Sequence, residues 1–231
     1  MTASTPGPAE QAAADRQVHR IVDDLVRDYD DRFPRAEVEE VYRDSFARLS
    51  EVARVRAFLP VLAGRFACER LDARALAEGK RARRAPAVLF VCVHNAGRSQ
   101  MAAALLRSYA GGCVHVDTAG SDPAGEIHPE VTAAMADIGL DLGQEFPKPL
   151  THDVLSAADV VVTLGCGDEC PVVPGRRYED WPVPDPAGAP AAQVTAIRAD
   201  LDARVRELVT SLLPGLDLPD PLAPAAPAAA R

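Results

Sequence analysis

The sequence predicts an α/β fold in which parallel strands alternate with helices, preceded by a small helical bundle. Apolar runs and helical periodicity alternate between residues 87 and 213. The run from Val88 to Val91 is continuously apolar, which is typical of a strand covered on both faces. Residues before 78 show helical periodicity alone.

Composition along the chain predicts five segments. Residues 1–15 and 214–231 are rich in Ala and Pro with few periodic apolar positions, which favours disordered tails. Residues 16–77 form the helical segment, and residues 78–86 are a basic, Gly-containing stretch that is typical of a solvated linker. Residues 87–213 form the α/β domain.

The helical segment carries three apolar stripes at helical spacing. They comprise Val18, Ile21, Val22, Leu25, Val26 and Tyr29; Val38, Val41, Tyr42, Phe46 and Leu49; and Val55, Phe58, Leu59, Leu62 and Phe66. A bundle of about 60 residues is marginally stable by itself, so we expect it to pack on a second copy in a homodimer. The alternative is a lid that stays on the α/β domain.

Within the α/β domain we predict strands at residues 87–91, 114–118 and 160–164. Helices are predicted at residues 99–109, 130–138 and 191–213. The last helix has its apolar positions on one side, listed as Val194, Ile197, Leu201, Val205, Leu208, Val209 and Leu212.

Charge and composition exclude several kinds of partner. The net charge of -9 argues against nucleic acid and anionic membranes, which need a basic face. No run of about 18 apolar residues is present, and the N-terminus lacks the features of a secretory signal, so we expect the cytoplasm. Five cysteines without disulfide-framework or metal-ligand spacing predict reduced thiols and no bound metal or cofactor.

The main cluster of chemical groups directly follows the first strand. Cys92 is followed by Val93, His94, Asn95, Ala96, Gly97, Arg98 and Ser99, and then by a helical run. At a strand-to-helix turn, backbone N–H groups can surround an anion at the positive end of the helix. They also favour a nucleophilic thiolate, and an arginine can hold two oxyanion oxygens at once. We predict these seven residues to bind an oxyanion that Cys92 attacks; the alternative is a buried structural cysteine.

This loop in its strand-to-helix setting resembles the low-molecular-weight tyrosine phosphatase superfamily, and within it the arsenate reductases. The resemblance covers roughly residues 87–213. It implies a four-stranded parallel sheet flanked by helices, with the Cys92 loop at the carboxyl end of the first strand. The preceding segment resembles the three-helix dimerisation domain of some actinobacterial members.

The resemblance also assigns a general acid. Members of the superfamily place an Asp-Pro pair on a late loop, and Asp185-Pro186 lies in the matching place. The resemblance implies that the Asp185 carboxyl group protonates the leaving oxygen.

Two further features favour a reductase over a phosphatase. Ala187 and Gly188 follow the Asp-Pro pair, where phosphatases typically carry an aromatic residue that stacks on a phosphotyrosyl ring. Cys166 and Cys170 follow a predicted strand at the same sheet edge as the Cys92 loop, and arsenate reductases of this type carry redox cysteines there. Arsenate reduction needs two electrons, which thiols can supply.

The resemblance therefore implies arsenate reduction to arsenite for detoxification. Cys92 forms an adduct with arsenate, Cys166 attacks Cys92, and Cys170 then takes over the disulfide, which thioredoxin reduces. The spacing of four between Cys166 and Cys170 is shorter than in thioredoxin-linked members, which leaves open attack on the adduct by mycothiol, with mycoredoxin. On a helix this spacing separates Cβ atoms by about 5 to 6 Å, against about 3.8 Å in a disulfide, so we expect Gly165 and Gly167 to let the segment bend.

Two other functions use the same residues. A tyrosine phosphatase would hydrolyse phosphate monoesters through Cys92, Arg98 and Asp185 without redox chemistry, and residual phosphatase activity is compatible with a reductase. A non-catalytic oxyanion or redox sensor is the other alternative, although a sensor does not need a general acid.

Overall fold

The computed structural model describes residues 8–52, 57–166 and 170–222. The chain divides into two compact units, Met1–Arg81 and Ala82–Arg231. The division falls inside the segment that the sequence predicts as a linker. No helix in the described ranges is both long and apolar enough to cross a membrane.

The described residues of the first unit form three helices, as the apolar stripes predict. They are α1 (Pro8–Tyr29), α2 (Arg35–Val52) and α3 (Leu59–Ala77). Helix α3 approaches α1 closely at Gly64, where an added Cβ would lie 2.8 Å from Ile21 Cγ2. The buried apolar residues of the unit include Leu25, Val38, Val41, Leu49, Phe66 and Leu71.

Two helix boundaries in this unit correct the sequence-based prediction. Helix α1 begins at Pro8, within the predicted tail, because proline suits the first turn of a helix and the following alanines favour helix strongly. Helix α3 begins at Leu59 and extends to Ala77, while Phe58 precedes it and is 66% exposed. Small buried residues continue its packed face, so apolar periodicity alone placed this helix too early. Val55 and residues 1–7 lie outside the described residues.

The second unit contains a four-stranded, fully parallel sheet, which confirms the predicted fold. Its strands are β1 (Ala87–Cys92), β2 (His115–Gly120), β3 (Val160–Thr163) and β4 (Arg177–Asp180), in the order β2-β1-β3-β4. All six residues of β1 are buried. The register pairs Cys92 with Gly120 and Val91 with Thr163, so the carboxyl ends of the three strands meet at one edge.

Within the part of this unit that the structure describes there are four helices: α4 (Arg98–Ala110), α5 (Pro129–Ala136), α6 (His152–Ala157) and α7 (Ala191–Leu212). Periodicity predicts α4, α5 and α7 but does not reveal α6 or β4. Helix α6 has only six residues, and β4 reads Arg-Tyr-Glu-Asp on the edge of the sheet, so neither carries an apolar pattern.

The chain beyond α7 makes contacts within the range that the sequence predicts as a C-terminal tail. Leu218 and Leu222 are partly buried against the apolar core of the second unit, while the residues between them are exposed. The Leu222 amide donates a hydrogen bond to the Tyr109 hydroxyl over 3.2 Å. Leucines spaced among the prolines supply apolar surface that the Ala-Pro composition conceals, and residues 223–231 lie outside the described residues.

Candidate active site

Cys92 ends the central strand β1, and the loop after it leads directly into α4. The Cys92 side chain is buried. The Asn95 amide donates to Cys92 Sγ over 3.2 Å, and the Ser99 hydroxyl oxygen lies 3.0 Å from the same sulfur. Two donors can thus act on the sulfur, an arrangement that stabilises a nucleophilic thiolate.

Asn95 determines the shape of this loop. Its φ angle is 48°, in the left-handed region that asparagine tolerates better than most residues. Its side-chain Nδ2 donates to Ser99 Oγ over 2.9 Å, and its Oδ1 accepts from the Lys148 amide over 3.0 Å. The fully buried Asn95 therefore orients the hydroxyl that contacts the Cys92 sulfur.

Gln100 is a structural part of the loop that sequence reasoning missed. It is fully buried, and its Nε2 lies 3.0 Å from Asn95 O, 3.4 Å from Thr118 Oγ1 and 3.4 Å from Phe146 O. Its single amide nitrogen thus joins the loop to β2 and to the chain before Lys148. The one available signal was a polar residue directly before the apolar run from Met101 to Leu106 of α4.

The loop carbonyl groups are bonded to a neighbouring segment. Those of Cys92, Val93, His94 and Ala96 accept from the amides of Ser121, Asp122, Ala124 and His128, respectively. The His94 ring adds a contact of 3.0 Å between Nδ1 and the Asp122 carbonyl. The loop carbonyls therefore bond to the segment after β2, which holds the loop in place. The Asn95 amide instead donates to the Cys92 sulfur.

Arg98 and Asp185, far apart in sequence, meet at this loop. Arg98 Nη2 lies 2.8 Å from Asp185 Oδ2; the arginine side chain is 9% exposed and the aspartate side chain 43%. The Asp185 loop also packs on Gly97, where an added Cβ would lie 2.7 Å from Pro186 Cγ. Glycine at position 97 therefore permits the close approach of the Asp-Pro loop.

Glu130 is a second residue that sequence reasoning did not find. Its Oε1 accepts from the Gly188 amide over 2.5 Å. This bond, after one from the backbone of Glu130 itself, lowers the pKa of the Glu130 carboxyl group. Glu130 thus ties the Asp185 loop to the start of α5.

Cys166 lies next to the end of β1. Leu164 N donates to Val91 O over 2.8 Å, and Cys166 Sγ lies 3.8 Å from the same carbonyl oxygen. Gly165 has a φ of 74°, and an added Cβ there would lie 2.5 Å from Arg98 Nη1. The segment that carries Cys166 therefore packs against both the residue before Cys92 and the guanidinium of the loop.

Cys166 and Cys170 contact each other through their side chains. A hydrogen bond with Cys170 lowers the pKa of Cys166 to about 7, although burial acts in the opposite direction. Both residues are buried and lie outside helices and strands, so the helical separation of their Cβ atoms does not apply. Gly167 lies outside the described residues. All five cysteines are described, and all are free thiols.

Comparisons with known proteins show what both parts of the chain are similar to. The family model described as low molecular weight phosphotyrosine protein phosphatase matches residues 87–215, and one described as the N-terminal domain of protein-tyrosine-phosphatase-like proteins matches residues 18–77. A putative arsenate reductase of Halobacterium salinarum is 37% identical over 130 residues, which cover 54% of this chain and 92% of that protein. A glutaredoxin arsenate reductase of Synechocystis is 30% identical over 128 residues, or 54% of this chain and 97% of that protein.

Solved structures extend the likeness across both units. A thioredoxin-dependent arsenate reductase of Corynebacterium glutamicum is 44% identical with a TM-score of 0.77, covering 84% of this chain and 96% of that one. A tyrosine phosphatase of Erwinia amylovora shares the fold at 19% identity and a TM-score of 0.51, covering 58% of this chain and 97% of that one. The match to residues 87–215 covers more than half of the chain. The chain therefore belongs to the low molecular weight phosphotyrosine protein phosphatase family.

Proposed function

We propose that this protein is an arsenate reductase in which Cys92, Arg98, Asp185, Cys166 and Cys170 carry the reaction. The observation that carries the proposal is the reduced Cys166–Cys170 pair packed beside the oxyanion loop. A phosphatase, which transfers the phosphoryl group to water, has no use for such a pair. The relatives that bear the name arsenate reductase support the same reaction.

The first step forms a covalent adduct. Arsenate binds to the amides of residues 93–99 and to the Arg98 guanidinium, which is suited to two oxygens of one anion. The Cys92 sulfur then forms a bond to arsenic while one As–O bond breaks. The Asp185 carboxyl group gives its proton to the departing hydroxide, which leaves as water. Ser99 supplies a hydrogen bond to the sulfur throughout.

The second step reduces the arsenic. The Cys166 thiolate attacks the Cys92 sulfur, so that a disulfide forms as the S–As bond breaks. The electron pair of that bond stays on arsenic, which leaves as arsenite after protonation. Cys170 then attacks Cys166, Cys92 leaves as a thiolate, and the disulfide now joins Cys166 and Cys170.

An external thiol reductant must close the cycle. We favour thioredoxin, since the Corynebacterium glutamicum neighbour is thioredoxin-dependent; mycothiol with mycoredoxin is the alternative source of electrons. We also propose that the protein works as a homodimer through its first unit, and in the cytoplasm, where thiols are kept reduced.

Arsenate-dependent oxidation of NADPH, coupled through thioredoxin and its reductase or through mycothiol and mycoredoxin, tests the function. Cys92→Ser should abolish turnover, while Cys68→Ser in the first unit should retain it. Without an external reductant, mass spectrometry after one arsenate turnover should find a disulfide between Cys166 and Cys170 in the parent chain, and one between Cys92 and Cys166 in Cys170→Ser. Rapid hydrolysis of para-nitrophenyl phosphate that is unaffected by Cys166→Ser, without NADPH oxidation, would instead identify a phosphatase.

A further inference from the structure

The chain just after Cys170 is held by one hydroxyl group. The Tyr178 hydroxyl donates to the Pro171 carbonyl over 3.1 Å and accepts from the Val173 amide over 2.8 Å. It thereby bridges the two residues on either side of Val172, which is 75% exposed. Neither bond belongs to the regular pairing of the sheet.

Tyr178 itself is fixed by the sheet. It lies in β4, where its Cα pairs with that of Val161 in β3. Strand β3 leads into Gly165 and Cys166. Two neighbouring strands therefore hold the two redox cysteines. Strand β3 holds Cys166, and β4 holds the chain next to Cys170 through the Tyr178 hydroxyl.

We propose that Tyr178 is a positioning residue for the Cys166–Cys170 pair, holding Cys170 where its sulfur can reach that of Cys166. A side chain held at its partner reacts as if at a high local concentration. Two hydrogen bonds to the backbone beside Cys170 restrict that residue more than the chain alone would. The role in turnover rests on the proposed function, but the effect on the thiol pair does not.

The step that Tyr178 assists is a thiol–disulfide exchange. The Cys170 thiolate attacks Cys166 within the Cys92–Cys166 disulfide. A bond forms between Cys170 and Cys166, the bond to Cys92 breaks, and Cys92 keeps the electron pair as a thiolate. Cys170 loses its proton to solvent before the attack, and the Cys92–Cys166 disulfide is the oxidant, so no other oxidant is required.

The test begins with a chain in which Cys68, Cys92 and Cys113 are replaced by serine, leaving only this pair. Its equilibrium with reduced and oxidised glutathione gives the effective concentration of Cys170 at Cys166. In this background Tyr178→Phe, which removes only the hydroxyl, should lower the effective concentration by about five- to ten-fold. Val173→Pro, which removes the amide donor and also fixes φ at position 173 and restricts Val172, should lower it as well.

Tyr109→Phe is the matched control. The Tyr109 hydroxyl also makes two hydrogen bonds, to Asp202 and from Leu222, but on a different part of the second unit. It should leave the glutathione equilibrium unchanged. Equal effects of Tyr178→Phe and Tyr109→Phe, or no effect of Tyr178→Phe, would overturn the proposal. If Tyr178→Phe fails to fold, the glutathione equilibrium of Val173→Pro is compared with that of Tyr109→Phe instead. Equal values would then overturn the proposal.

A second readout separates positioning from general stability. Because Cys170 lowers the pKa of Cys166, loss of the hydroxyl should raise the apparent pKa of Cys166 alkylation by iodoacetamide. A variant that only weakens the fold would not move this value in the folded protein. If arsenate is not reduced but the tyrosine variants still differ in these assays, the proposed function fails and the positioning role stands.

Discussion

Arg98 and Asp185 are ion-paired at 2.8 Å across the site, although 86 residues separate them in sequence. The guanidinium proposed to hold the oxyanion is therefore bonded to the carboxyl group proposed to protonate the leaving oxygen. An oxyanion held in two-point contact by Arg98 would compete with Asp185 for the same nitrogen donors. Substrate binding should thus release the carboxyl group beside the departing oxygen.

Asp185→Asn should lower kcat for arsenate reduction by about a hundred- to ten-thousand-fold, because the amide cannot donate an acidic proton. The isosteric side chain can still accept from the Ala187 amide, as Asp185 does over 3.0 Å, so the loop should persist. Steady-state NADPH oxidation measures the change. Asp200→Asn, which breaks a half-buried pair with Arg204 on α7, should retain the rate of the parent chain. A loss confined to KM would argue against a general acid.

Cys170→Ala should raise the pKa of Cys166 above its present value of about 7, because a hydrogen bond with Cys170 is the main cause of the lowered pKa. The Cys166 thiolate predominates above its pKa, so alkylation by iodoacetamide near pH 7 should slow while the rate near pH 9 changes little. Peptide mapping by mass spectrometry can follow Cys166 separately from the other thiols.

The lowered pKa of Cys166 also makes the stability of the fold depend on pH. A thiol whose pKa is lower in the folded chain stabilises the fold fully above its unfolded pKa, and this contribution is lost as the pH falls through about 7. Cys170→Ala should therefore reduce the gain in stability between pH 7 and pH 9. Replacement of Cys113, an exposed thiol, should alter neither the alkylation profile of Cys166 nor this gain.

The parts of the site that the sequence predicts are those determined by local patterns. Strand β1, the Cys92 loop and α4 follow each other directly, so apolar runs and residue types suffice to place them. Gln100 and Glu130 escaped prediction because their roles depend on Phe146 and Gly188, which only the folded chain brings near. The resemblance to a family supplied Asp185, since periodicity does not indicate which loop reaches Arg98.

Gln100→Leu should destabilise the second unit by about 2 to 4 kcal/mol, because it leaves the buried carbonyls of Asn95 and Phe146 without this donor. It should also lower kcat/KM for arsenate, since Asn95 loses a contact that supports its left-handed conformation. Urea unfolding and steady-state kinetics measure the two effects. Gln193→Leu at the exposed start of α7 should stay within about 0.5 kcal/mol of the parent chain. An unchanged kcat/KM in a folded Gln100 variant would show that Asn95 does not need the Gln100 contact for the reaction.

Gly165→Ala and Gly175→Ala separate backbone strain from contact with the site. Both glycines have left-handed φ angles, 74° and 80°, so alanine should cost about 1 to 3 kcal/mol at either position. Only at Gly165 does the added Cβ meet another group, at 2.5 Å from Arg98 Nη1, whereas nothing lies within 4 Å at Gly175.

Gly165→Ala must therefore displace the Arg98 guanidinium or the segment that carries Cys166, while Gly175→Ala disturbs neither. We expect similar losses of stability on urea unfolding, but a fall of at least about ten-fold in kcat/KM for arsenate with Gly165→Ala alone, because misplaced catalytic groups lose rate steeply. Equal activities of the two variants would mean that Arg98 adjusts without consequence. In that case the close packing of Gly165 on Arg98 has no part in the reaction, and glycine at 165 serves the backbone turn only.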